Sequence, residues 1–131
     1  MKYLGIDYGE KRVGLAVSDV SESFAMPLSV ISDFVVMDDV IDEIVEICRE
    51  ENIDEIIVGE SRDFSQKENK IMNEIKPFVK ELKEKSNLPV HFHPEFLTSA
   101  EAERIQGKNR MHDASAAALI LKSYLDTKNH L

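Results

Sequence analysis

Between Lys2 and Asp19 two short apolar runs, Tyr3 to Tyr8 and Val13 to Val17, flank a polar turn at Gly9-Glu10-Lys11. Two such runs around a short turn signal a β-hairpin, which commits the sheet to at least one antiparallel pair. The anomaly is Asp7, a carboxylate in a segment otherwise suited to burial. Desolvating an ionised carboxylate is costly unless a cation, a metal or several donors face it. Asp7 either opens the turn, Asp-Tyr-Gly being good turn chemistry, or it faces such a partner.

Beyond the hairpin, Ser21-Glu22-Ser23 is a polar turn, and Pro27 to Ile31 reads as a third strand with Pro27 at its start, where a missing N–H is tolerated. Met37, Val40, Ile41, Ile44 and Cys48 recur at spacings of three and four, which predicts an amphipathic helix over 36–51. Asp38, Asp39, Asp42, Glu43 and Glu46 fall mostly outside that stripe and read as a solvated face. Ile56-Ile57-Val58-Gly59 is short and wholly apolar, the mark of a central parallel strand, with Glu60 just past it.

Ser65 with Glu68 forms a capping box for a helix through Leu82, inside which Pro77 should introduce a kink. Leu88 to Phe92 reads as a fifth strand. Thr98 with Glu101 caps a short helix over 98–105, a polar loop covers 106–110, and Met111 to Leu125 forms the last helix. Residues 126–131 read as frayed. An antiparallel meander followed by alternating helix and strand predicts an α/β fold, a mixed five-stranded sheet with helices on both faces.

The length of 131 residues suits one domain, 1–131, with a substantial core. No run approaches the roughly 18 apolar residues of a membrane span, so no membrane partner is expected. The single cysteine, Cys48, excludes an internal disulfide, fits a reducing cytoplasm, and lies in a helical apolar stripe as core filler. A net charge of −9 argues against broad coating of nucleic acid, and leaves room for a local basic site or one built on divalent metal.

In mixed sheets of this kind function collects at the carboxyl ends of central strands. Asp7, Glu60 and Glu95 fall near such ends, and Asp113 near the start of the last helix. Singly, each has a structural reading: a turn opener, two loop acids, and an anion favoured by a helix dipole. Together at one edge they would repel one another without a cation, and hard oxygen ligands suit Mg2+ or Mn2+. Such ions can clamp the attacking and leaving oxygens of phosphodiester cleavage. His91 and His93, with one cysteine and no third histidine nearby, read as strand or loop histidines rather than zinc ligands.

Leu4-Gly5-Ile6-Asp7-Tyr8-Gly9, with Arg12-Val13-Gly14-Leu15-Ala16 and Ser18-Asp19, resembles the opening of the YqgF-type, RuvX-like nucleases of the ribonuclease H-like superfamily. The resemblance continues through Ile57-Val58-Gly59, Glu95 to Ala102 and Asp113 to Leu121, covering nearly the whole chain in order. It implies a ribonuclease H-like nuclease acting on Holliday junctions or on the 5′ end of pre-16S ribosomal RNA. It further implies Asp7, Glu95 and Asp113 as the catalytic carboxylates, with divalent metal. More distant resolvases of the superfamily place a glutamate at the end of the fourth strand, which adds Glu60 as a fourth candidate ligand. Lys11, Arg12, Arg62, Lys108 and Arg110 are candidate contacts to the nucleic acid, expected in loops bordering the site.

Two departures are evident. Pro94-Glu95-Phe96 stands where the family usually has Asp-Glu-Arg, and Gly59-Glu60-Ser61 where it usually has Gly-x-Pro. A sugar kinase or ATPase of the actin-like kind uses a similar Asp-x-Gly hairpin but needs two such domains, which this length does not supply. A nucleic-acid-binding or assembly factor that kept the fold without the activity is the second alternative. Monomer and homodimer both remain open.

Overall fold

The computed structural model describes residues 1–9, 11–61, 72–95 and 112–129, without the side chains of Ser61, Glu95, His112 and Asp113. Both expected capping boxes, the helix over 98–105 and the loop over 106–110 lie outside the described residues.

The hairpin forms as read, from β1 (Tyr3–Tyr8) and β2 (Arg12–Ser18), antiparallel with Asp7 opposite Gly14. Next come β3 (Ala25–Ser32), α1 (Met37–Glu50), β4 (Glu55–Ser61), α2 (Met72–Ser86), β5 (Val90–Glu95) and a last helix, α3 (His112–Asn129). The sheet order is β3-β2-β1-β4-β5, with β4 parallel to both β1 and β5. The expected mixed five-stranded sheet is therefore present.

Alternation along β4 explains its apolar run. Ile56 and Val58 enter the core under α1 and α2, while Ile57 enters the core under α3. A strand covered on both faces has no place for a polar stripe. Helix α1 buries Val40, Ile41, Ile44 and Cys48, and its acidic residues are exposed, as the spacing predicts. It ends where Asn52 adopts a left-handed φ of 56° and the Ile53 amide donates to the Cys48 carbonyl at 3.0 Å. The Asp54 amide then donates to the Lys2 carbonyl at 2.8 Å, seating β4 beside β1.

Several boundaries differ from the sequence expectation. β3 begins at Ala25, so Pro27 lies inside a strand, opposite Ala16, where the register shifts between Leu15 and Ala16. An outer strand paired on one side accepts a residue without an N–H. β4 and β5 each run further than expected, to Ser61 and Glu95. Residues 126–129, expected to fray, continue α3. The Lys128 ammonium holds them, donating at 2.5 Å to both the Tyr3 hydroxyl and the Glu22 carboxylate, while the Asn129 amide donates to the Glu22 carbonyl at 3.0 Å. Among the described residues no helix is long and apolar enough to cross a membrane.

Candidate active site

Asp7 is half-buried, one residue before the end of β1. The hairpin closes just past it, through a hydrogen bond of 3.0 Å from the Gly9 amide to the Arg12 carbonyl. A β-carbon on Gly9 would come within 2.8 Å of that carbonyl oxygen, so this turn requires glycine.

Helix α3 runs antiparallel to β1 across the sheet, as its contacts in sequence show. Tyr124 meets Tyr3 edge to face with ring centroids 5.5 Å apart. Further along, Leu121 and Ala117 crowd Gly5, where an added β-carbon would lie 2.9 Å from the Leu121 β-carbon and 3.0 Å from the Ala117 carbonyl oxygen. The same direction carries the first turns of α3, which begins at His112, towards the end of β1 that holds Asp7.

Glu60 and Glu95, expected just beyond their strands, are instead within them, in the ladder that sets Glu60 opposite Pro94 and Ser61 opposite Glu95. Strand residues alternate between faces. Asp7 shares the parity of Tyr3 and Gly5, beneath α3, whereas Glu60 shares that of Ile56 and Val58, on the face covered by α1 and α2. The position of Glu95 has the parity of His93, whose ring shares a hydrogen bond of 2.9 Å with Ser123 of α3 and stands edge-on to Tyr124. Strand alternation thus puts positions 7 and 95 on the α3 face of the sheet and Glu60 on the other.

Lys11 and Arg12 are exposed beside the turn. Arg12 was expected in a loop but is the first residue of β2, opposite Ser32 of β3. Both line a cavity of about 730 Å³ with Leu28, Ser29, Val30, Ser32 and Asp33. The contribution of β3 was missed in the sequence, although the hairpin register that sets Arg12 against Ser32 would have signalled it. Arg62, Lys108 and Arg110 lie outside the described residues.

The remaining ligand types are engaged elsewhere. Cys48 is buried, which pushes its thiol up to about 11 and makes it inert core. His91 and His93 are strand histidines as expected; His91 lies 3.7 Å from the Glu55 carboxylate, and burial holds His93 below the usual histidine range. Among the described residues no three His, Cys, Asp or Glu side chains gather as a metal site. The candidate donors are all carboxylates, a set chemically matched to a hard divalent cation.

A profile of the family described as RuvX, Holliday junction resolvase, matches residues 1–127. The chain belongs to the RuvX family. Relatives bearing the name "Putative pre-16S rRNA nuclease" include one from Phocaeicola vulgatus, 33% identical and covering 99% of each chain. Another, from Nitratidesulfovibrio vulgaris, is 35% identical over 96% of this chain and 94% of its own. The structure of Thermus thermophilus RuvC in complex with Holliday junction substrate superposes with a TM-score of 0.63 at 16% identity, covering 98% of this chain and 96% of that one. At that identity the likeness speaks for the fold, and the ribonuclease H-like expectation is borne out. RuvX proteins are nucleases, hydrolases of phosphodiester bonds.

Membership in the RuvX family does not make every motif residue catalytic. Ser18 is fully buried and its hydroxyl accepts the Tyr3 amide at 2.8 Å. Asp19 takes the Ser21 hydroxyl and the amides of Ser23 and Phe24, the latter two at 2.9 Å, and these donors hold its carboxyl below the usual range. Ser18-Asp19 therefore builds the β2–β3 turn, at the pole of the sheet away from Asp7.

Proposed function

We propose that this chain is a divalent-metal-dependent nuclease, with Asp7, Glu95 and Asp113 as its catalytic carboxylates and the 5′ region of pre-16S ribosomal RNA as its substrate. The observation that supports the reading is the antiparallel passage of α3 over β1, together with the strand alternation that puts positions 7 and 95 on the α3 face. The names of the relatives support the choice of RNA over branched DNA.

Asp7, Glu95 and Asp113 would hold Mg2+ or Mn2+, while Glu60 belongs to the other face of the sheet. When bound, such a cation supplies an activated water and offsets the charge that develops on the phosphoryl oxygens. The chain's own part is positioning. Asp7 sits on the central strand of the five, paired to β2 on one side and β4 on the other, which fixes the backbone that carries its carboxylate. Asp113 rides on α3, whose depth is set by the Gly5–Leu121 contact. Lys11 and Arg12 hold backbone phosphates beside the carboxylates, acting as cations in an otherwise acidic molecule.

The test is a cleavage panel on the purified protein with RNA, single-stranded DNA and junction DNA, in magnesium, manganese and chelator. Metal-dependent cutting of RNA that Asp7→Asn abolishes while the fold persists supports the reading. Undiminished cutting by Asp7→Asn removes Asp7 from the mechanism. Binding with no cutting under any metal points to the assembly-factor alternative.

A further inference from the structure

Apolar packing holds the start of β5 but not its end. Val90 belongs to the core under α1 and α2, whereas Phe92, two residues on, is 37% exposed. Among the described residues, the core under α3 takes nothing from β5. The strand is also outermost, with β4 as its one neighbour in the sheet. A segment with few buried apolar contacts opens at low free-energy cost. His93 supplies on this face what the core does not. Its ring shares a hydrogen bond of 2.9 Å with Ser123 of α3. It also stands edge-on to Tyr124, with centroids 5.8 Å apart and 88° between the planes. Tyr124 in turn meets Tyr3 of β1 at 5.5 Å and 62°. Such arrangements are favoured because the positive edge of one ring faces the negative face of the next. One helical residue therefore touches both the strand that carries Asp7 and the strand that carries position 95.

We propose that His93 is a positioning residue, whose link to Ser123 and Tyr124 fixes the end of β5, and with it position 95, against α3. His93 lies two residues before position 95, on the same face of the strand. Its part in catalysis rests on the nuclease reading above. The link holds the backbone at position 95 in one placement before a metal arrives, so less ordering accompanies binding.

The test uses the full chain at about pH 8, well above the ordinary histidine pKa of about 6.5, so that no change of charge at position 93 enters. His93→Phe keeps a ring and removes the hydrogen bond. Ser123→Ala removes it from the other partner, at an exposed position where folding is not at risk. His93→Gln keeps a side chain able to make the bond. Cys48→Ala, in the core on the opposite face, is the control for general destabilisation. Hydrogen exchange in chelator is read first. Amides at the end of β5 should exchange about fivefold faster in His93→Phe and Ser123→Ala, the worth of one neutral hydrogen bond. Those of β2 and β3 should not change, and His93→Gln should match wild type. Manganese is then titrated, and its affinity should fall about tenfold in the first two variants, with KM for RNA unchanged and kcat at limiting manganese reduced in proportion. Unchanged exchange in both His93→Phe and Ser123→Ala overturns the proposal, as does equal acceleration of the same amides in Cys48→Ala. Faster exchange with manganese affinity unmoved makes the link structural only and overturns the positioning role. If exchange behaves as described but wild type neither binds manganese nor cuts RNA, the link to α3 stands and the nuclease reading fails.

Discussion

Gly5 and Leu121 meet so closely that a side chain on Gly5 would begin 2.9 Å from the Leu121 β-carbon. The contact is backbone-deep on both sides, since the Ala117 carbonyl oxygen stands 3.0 Å from the same point. Helix α3 can lie this low because Ala114, Ala116, Ala117 and Ala118 keep its buried side thin. The strand that carries Asp7 and the helix that carries Asp113 are thereby set at one separation.

Gly5→Ala should lift α3 from the sheet, because neither a helical carbonyl nor a β-carbon can rotate away. Overpacking of this kind costs about 1–3 kcal/mol, readable as a lower denaturation midpoint in urea. Cleavage should fall by more than the unfolded fraction accounts for. A variant with wild-type stability would show that the helix yields freely.

Strand alternation separates Glu60 from Asp7 and aligns position 95 with it. Loss of a ligand should exceed the 10–100-fold typical of a residue that only supports one. Glu95→Gln should therefore lose about 100-fold or more in cleavage, and Glu60→Gln about tenfold or less. Titration of manganese into each variant, followed by both binding and cutting, checks the order. Equal and large losses would mean that Glu60 reaches around the end of its strand to the same ion.

The tie among Lys128, Glu22 and Tyr3 has a pH signature. The Lys128 hydrogen bond, with a smaller contribution from Tyr3, holds the Glu22 carboxyl below its ordinary 4.5, so its contribution is present above that value and fades as pH falls below it. Hydrogen bonds to Glu22 and Tyr3 raise Lys128 above its ordinary 10.5, so its contribution is complete below that value and is lost as pH rises through the folded one. The difference in melting temperature between wild type and Lys128→Met should form a plateau from about pH 5 to 10 and shrink at both ends. Asp19 is depressed too, but titrates in both proteins and cancels. A difference that does not vary with pH would assign the effect to packing of the lysine stem.

His93 gives a second window. Burial lowers its pKa from the ordinary 6.5, so the unfolded chain binds the proton more readily. Wild-type stability should therefore be full above about pH 6.5 and decline below it, as far as the folded pKa. His93→Gln should lack that component while keeping a partner for Ser123. Parallel unfolding curves for the two proteins between pH 7.5 and 5 would remove His93 as the cause.

Much of this architecture is legible in residue order because burial has a period. The hairpin, α1 and the run Ile56-Ile57-Val58 show it directly, each by the number of faces it hides. Hydropathy reports burial rather than pairing, which is why the polar ends of β4 and β5 were read as loops although Glu60 and Glu95 remain in the ladder. Pro27 misled in the same way, since its tolerance inside β3 depends on that strand being outermost. Residues 126–129 looked unsupported because their partners, Tyr3 and Glu22, stand at the other end of the chain. For the candidate site, position near the strand ends and the family resemblance named the acids to consider. Only the pleat and the direction of α3 separate Glu60 from positions 7, 95 and 113.

Helix α3 is a rod pinned twice, by the Gly5 notch near its middle and by Lys128 near its far end. A rod held in that way resists axial slip. Each residue of slip would carry Asp113 about 1.5 Å along its axis relative to Asp7, comparable to the tolerance within which metal ligands must be placed. The lysine clamp, more than 100 residues in sequence from its glutamate and at the opposite pole of the sheet from Asp7, thus bears on where position 113 lies along β1.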